Sequence, residues 1–364
     1  MTDAQVKQLF SMQRDATIGV RAGRVVFLNT VAESLFPDIK PGEDAFEILP
    51  AAILEMEEES FSTSVPVGEH MYTILGTQME GMGIYTLIPQ GSGEATPSGQ
   101  LLERVCDTMR RSLTVLNMAN EFIVPTLNQG GAPVPEASVM AITKAYYQLQ
   151  RLCDNLDHFA RLGEGQAQLL LEQLDLVSFC RDLVQSLDHF AKRLSQRVHF
   201  HTDHRQIPAT VDRQKMTKLL LNLVSNSLKN LGEGGSISLE LSTQGDDAVL
   251  TLRDTGSGIA PSHMAEVFTR YQGLRSDTDT QAGVGLGMHI AQGLARLHGG
   301  TLLVTSQEGQ GATIRLRIPT RQSADAGYLE EAVLPYGEGD GGMHLILTEL
   351  SDVLDDEVFL GRYY

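Results

Sequence analysis

The residues best suited to chemistry lie in the stretch KLLLNLVSNSLKN, where Asn222 and Asn226 stand four residues apart and Lys229 three further on. On a helix, that spacing puts all three on one face. Asparagine costs a helix interior about 0.7 kcal/mol against alanine, so two of them beside a leucine-rich face point to a polar task. An amide oxygen is a hard ligand suited to Mg2+, and a lysine ammonium supplies a point charge for phosphate. A solvated polar face would read the same way if this helix stood alone.

Two glycine-rich stretches follow. Asp254-Thr-Gly256-Ser-Gly258 closes an apolar alternating run. Its carboxylate can accept from an exocyclic amine such as that of adenine, and its two glycines let the backbone pass close to a planar ring. A plain Asp-Gly turn explains this stretch equally well. Gly283-Val-Gly285-Leu286-Gly287 opens a helical pattern, offering free N–H groups and the positive end of a helix dipole to phosphates. The spacing is not the dinucleotide G-x-G-x-x-G, and no GKS or GKT follows.

These residues need a scaffold, and the pattern after Gly163 supplies an α/β one. Helices are expected from about Asp175 to Leu194 and, with Asp212 as N-cap, to near Leu231. A strand near Val198–Thr202, strands at Ser236–Ser242 and Ala248–Arg253, a short helix from about Ser262, and strands at Thr301–Ser306 and Ala312–Ile318 complete the domain. Upstream, residues 100–163 read as a helical hairpin broken by the Gly/Pro loop Gln129–Pro135. Leu102, Val105, Met109, Ser112, Leu116, Ala119 and Ile123 keep a 3-4 spacing, as do Ile142, Ala145, Leu149, Leu152, Leu156 and Phe159. A lone hairpin cannot cover both seams, so a dimeric four-helix bundle is expected, with packing against the chain's own domains as the alternative.

Before the linker at residues 90–99, TIGVRAGRVVFLNTVAESLF reads as two strands around a turn at Gly23 and a helix opened by Asn29, with strands at Met71–Leu75 and Gly83–Pro89. This pattern over residues 1–89 resembles a PAS sensor domain. The order NxxxN, DxGxG, aromatic pair, GxGxG, GG in Asp212–Pro319 resembles the ATP-binding domain shared by histidine kinases, gyrase, MutL and the heat-shock chaperones. The resemblance implies an α+β multi-domain protein. Its parts are a PAS-like sensor, a dimerising hairpin, a histidine-kinase-type (Bergerat) α/β sandwich at 164–320 and an acidic C-terminal segment at 321–364. It implies ATP and Mg2+ as cofactors, with Asn226 on Mg2+ and Asn222 and Lys229 lining the phosphate site. Asp254 would hold adenine in a pocket shaped by Gly256 and Gly258. Phe268 and Tyr271 would form the aromatic box, Gly283, Gly285, Leu286 and Gly287 the lid hinge, and residues 272–282 the lid. Hydrolytic members carry a Glu at the position of Asn222, which cannot act as a base, so the kinase branch fits best.

The hairpin departs from that branch. Histidine kinases present HELRxPLTVL, and this chain reads Asp107-Thr-Met-Arg-Arg-Ser-Leu-Thr-Val-Leu116. Asp107 stands where the phosphoacceptor His belongs, Thr108 replaces its acidic neighbour, and no His occurs between Met71 and Asp157. The expectation is an ATP-binding signalling protein, defective in histidine autophosphorylation. The alternatives are an active kinase using another acceptor, or a dimeric scaffold with a vestigial site. The net charge of -18 excludes a nucleic-acid surface. No membrane span or signal pattern is expected, and Cys106, Cys153 and Cys180 suggest neither disulfides nor zinc. The expected setting is cytoplasmic, as a homodimer with a response regulator or other signalling protein as partner.

Overall fold

The computed structural model describes residues 10, 15–54, 60–67, 70–79, 81–89, 109, 112–113, 115–116, 136–163, 165–260, 263–264, 267, 285–320 and 342–359. The expectations for Asp107, Thr108, Phe268, Tyr271, Gly283, the linker, the lid and most of the first hairpin helix lie outside the described residues.

The N-terminal unit follows the alternation of its sequence. Strands β1 (Ala16–Arg21) and β2 (Arg24–Leu28) form a hairpin whose turn residues, Ala22 and Gly23, both have positive φ. Asn29 caps the helix α1 (Thr30–Leu35): its Oδ1 accepts from the N–H groups of Ala32 (2.9 Å) and Thr17 (3.0 Å), while its amide donates to the Asp15 carbonyl. One buried amide thus caps the helix and satisfies the strand start. After the short α2 (Ala51–Leu54) come β3 (Ser60–Val67), β4 (His70–Met79) and β5 (Met82–Pro89). These strands form an antiparallel sheet in the order β2-β1-β5-β4-β3, with Ile18, Leu28, Ile74 and Leu87 in its core.

The long helix α3 (Glu136–Gly163) realises the second hairpin helix. After it come β6 (Glu172–Asp175), α4 (Leu176–Ala191), β7 (Arg197–His201), β8 (Pro208–Val211) and α5 (Arg213–Asn230). Strands β9 (Ser236–Gln244) and β10 (Asp247–Asp254), helix α6 (Gly287–Leu297), and strands β11 (Thr301–Ser306) and β12 (Ala312–Pro319) complete the α/β unit. The sheet runs β11-β12-β10-β9-β7, with β7 parallel to β9 and every other pair antiparallel. In β9, Ile237, Leu239 and Leu241 enter the core while Ser238 and Glu240 face out, the period-2 pattern of a half-covered sheet. Asp212 caps α5 through the Lys215 N–H and Asp175 caps α4 through Val177 and Ser178.

Three features depart from the sequence reading or extend it. First, β3 pairs with β11, with Leu303 opposite Thr63 and the Thr63 hydroxyl donating to the Leu302 carbonyl at 3.0 Å, so the two units share one ten-stranded sheet. Second, the seam on α3 is largely covered by its own chain. Ala145, Leu152 and Phe159 are buried, the Phe159 ring packs tilted against His289 of α6, and Leu162 packs where Gly293 lacks a side chain. This is the alternative to the bundle, for this helix. Of the first helix, Met109, Ser112, Leu113, Val115 and Leu116 are helical; Ser112 is buried, and Leu113 is 55% exposed.

Third, the acidic C-terminal segment contains a helix, α7 (Gly342–Leu350), followed by a turn and a short 3-10 helix at Asp356–Phe359. Ile346, Leu347, Leu350, Leu354, Val358 and Phe359 join the main core beside α3 and α5. Among the described residues no helix is long and apolar enough to cross a membrane.

Candidate nucleotide site

The site is framed by the end of α5, the loop after β10 and the start of α6. Asp254 closes β10 and holds the loop together. Its Oδ1 accepts from the N–H groups of Gly256 (3.0 Å) and Ala312 (3.1 Å), and its Oδ2 accepts from the Ser227 hydroxyl (2.9 Å). A carboxylate has about four acceptor directions, so three internal bonds leave room for one donor from outside. That fits the amine-accepting role expected of it.

The loop after Asp254 lies against backbone on both sides. Ser257 N–H donates to the Asn230 carbonyl, and Gly309 N–H to the Ser257 carbonyl. Gly258 has φ +68°, and a Cβ there would stand 2.1 Å from the Gln307 carbonyl oxygen, so only glycine fits. Gly311, which the motif reading passed over, is the second such position: φ is +82° and a Cβ would meet the Asp254 carbonyl oxygen at 2.0 Å. The chain segments approach each other here backbone to backbone, beside Asp254.

Across the site, α6 begins at Gly287 with no side-chain cap on its first turn. Its leading N–H groups and dipole end are therefore available to an anion. Asn222 is fully buried; its amide donates to the Lys218 carbonyl at 2.9 Å, and its Oδ1 has no hydrogen-bond partner among the described groups. That oxygen faces the start of α6: a Cβ on Gly287 would lie 2.7 Å from it and 3.8 Å from the Asn226 amide nitrogen. A buried amide oxygen without a donor is costly, and a cation is one way to satisfy it. An amide oxygen is a hard donor of the kind a divalent ion takes, and it stands here beside an uncapped helix end, with the Asn226 amide next to it.

Lys229 keeps the expected face of α5, but its ammonium pairs with Asp352 Oδ2 at 3.1 Å, in the turn after α7. The same oxygen takes Nη1 of Arg151 on α3 at 2.7 Å, and Arg151 Nη2 donates to the Ser225 hydroxyl at 3.1 Å. Burial would raise the Asp352 carboxyl, but the Arg151 guanidinium and the Lys229 ammonium outweigh it and hold the group below the usual carboxylate range. One turn away the buried Glu349 pairs with Lys218 of α5 and lies 3.5 Å from Arg151 Nε. Sequence reasoning missed Arg151, Glu349 and Asp352, because nothing in an acidic segment 123 residues downstream marks which carboxylate returns to Lys229.

Part of the chain is similar to known proteins. Residues 211–322 match the family described as histidine kinase-, DNA gyrase B- and HSP90-like ATPase. The sensor histidine kinase ZraS of Escherichia coli K12 is 27% identical over 221 residues, 61% of this chain and 45% of that protein. The alginate biosynthesis sensor protein KinB of Pseudomonas aeruginosa is 27% identical over 221 residues, 59% of this chain and 36% of KinB. The chain thus spans less than half the length of these relatives. The crystal structure of full-length ShkA in complex with AMPPNP has a TM-score of 0.48 and 23% identity, covering 63% of this chain and 47% of that one.

Proposed function

From its membership of the histidine-kinase family, carried by the ATPase domain at 211–322 and by its sensor-kinase relatives, we propose that this chain binds Mg-ATP and signals without phosphorylating a histidine of its own. The observation that carries the nucleotide reading is the buried Asn222 Oδ1, without a hydrogen-bond partner among the described residues, facing the uncapped start of α6. Asn226 would hold Mg2+, with Asn222, Lys229 and the α6 N–H groups lining the phosphate site. Asp254 would accept from the adenine amine in a pocket shaped by Gly256 and Gly258. When bound, Mg2+ neutralises phosphate charge. Phe268, Tyr271 and Gly283 belong to the same proposal as aromatic box and lid hinge, with Gly285 and Leu286 completing the hinge.

The defect is argued from the sequence of the first hairpin helix. Phosphoryl transfer depends on a nucleophile held in line with the γ-phosphate, and the protein contributes positioning and electrostatics. Asp107 and Thr108 replace the imidazole and its acidic helper. A PAS-like sensor role for residues 1–89 is supported by the antiparallel sheet with Asn29-capped α1. Homodimerisation is supported by the exposed apolar residues of the first helix. A response regulator as partner, and a cytoplasmic place of action, follow from the family reading.

The nucleotide reading is tested by melting the intact protein with and without Mg-ATP. Ligand at a hundredfold its Kd adds about 2.7 kcal/mol of stability, so a clear rise in Tm is expected, and Asn226→Ala should abolish it. An intact chain whose Tm does not move with millimolar Mg-ATP would sink the reading.

A further inference from the structure

Among the described residues, Asp352 sits unusually for a carboxylate in an acidic C-terminal segment. One oxygen, Oδ2, lies between two cations from different elements, Lys229 of α5 and Arg151 of α3, at 3.1 and 2.7 Å. Arg151 is itself buried and anchored to Ser225, one turn before Lys229 on the same helix face. A guanidinium held in place by a hydroxyl and a lysine point charge, both directed at one oxygen, is an arrangement that also suits a phosphoryl oxygen. The anion present is supplied by the chain itself.

We propose that the turn after α7 is a built-in competitor of nucleotide, Asp352 occupying Lys229 in place of a phosphate oxygen. The proposal rests on the reading of α5, β10 and α6 as a nucleotide site, since Lys229 shares the helix face of Asn222 and Asn226. The anchoring of the turn gives the competition a definite strength. Leu350 and Leu354 are buried on either side of Asp352, and the Val353 and Leu354 N–H groups both donate to the Leu350 carbonyl. The carboxylate is therefore presented by a tethered, ordered segment at high effective concentration. A phosphate that wins Lys229 must displace Asp352, and the turn loses its charged anchor. Glu349 and the apolar face of α7 keep the segment attached, so displacement is local and reversible.

The test compares Mg-ATP and adenosine binding by the full chain and by Asp352→Asn, which keeps the shape of the side chain and removes its charge. With the charge-assisted competitor removed, Asp352→Asn should bind Mg-ATP about tenfold more tightly or better. Its affinity for adenosine, which has no phosphate, should be unchanged. Equal or weaker Mg-ATP binding by Asp352→Asn, or an equal gain for adenosine, overturns the competitor and leaves the nucleotide site standing. Failure of both proteins to bind Mg-ATP overturns the site and the competitor with it. Should Asp352→Asn not fold, amide exchange in the unaltered protein decides. Saturating Mg-ATP should accelerate exchange at Val353 and Leu354, and unchanged or slowed exchange there overturns the proposal.

Discussion

At the scale of single residues, His298 shows how one side chain ties the site's two helices together. Its Nδ1 bonds the Leu294 carbonyl at 2.8 Å, and its Nε2 accepts from the Asp212 N–H at 3.1 Å. A carbonyl can only accept, so Nδ1 carries the proton and the ring must be neutral to do both. Burial lowers its pKa below the ordinary 6.5. The unfolded chain then binds a proton in a window where the folded chain does not, so this contribution is complete above about pH 6.5 and lost as pH falls through the window. Denaturant midpoints should fall between about pH 7.5 and 5, and His298→Gln should flatten part of that fall. A variant with the same pH dependence as the parent would refute this role. The placement of Asn222, Asn226, Asp254, Gly256 and Gly258 was legible because it is set locally, by a helix face or a turn. His298 and Gly311 were not, since their roles depend on partners far away in the chain, Asp212 and Asp254.

At the scale of elements, the sequence foretold those whose periodicity is driven by their own burial. Helices α3, α4 and α5 and strands β9 to β12 fall within a few residues of expectation. Strand β3 escaped because three serines and a proline fill every other position of SFSTSVPV and dilute the signal of Phe61, Val65 and Val67; the strand is held by pairing along its length with β4 and, at Ser62 and Thr63, with β11. Helix α7 escaped because its net charge suggested a solvated segment, whereas Ile346, Leu347 and Leu350 are buried. The hairpin is the instructive case. A 3-4 seam states that a helix face is covered but not by what, and α3 is covered largely from within. A dimer contact must therefore draw on the first helix, where Met109, Leu113 and Val115 are exposed. Light scattering at micromolar concentration should give a dimer, and Leu116→Glu a monomer with an intact fold. Leu152→Glu should instead destabilise the fold by placing a charge in the core. A monomeric parent protein would count against the bundle.

At the scale of the whole molecule, one ten-stranded sheet joins the N-terminal unit to the ATPase domain, and the C-terminal segment bridges α3 to α5. The N-terminal unit is thus tied to the α/β unit by the β3–β11 pairing, and the C-terminal segment reaches Lys229 through Asp352. On the proposed reading, such a chain would couple nucleotide occupancy to its other parts without passing phosphate to itself. His158 on α3 is the histidine that such a denial must confront. It is half-buried, and both its burial and the nearby Lys218 ammonium lower its pKa. The most direct test is incubation of the purified, unmodified protein with γ-labelled Mg-ATP, followed by acid and base treatment of any label. The account predicts no acid-labile, base-stable phosphate on the chain. Such a label, mapped first at His158, would contradict it.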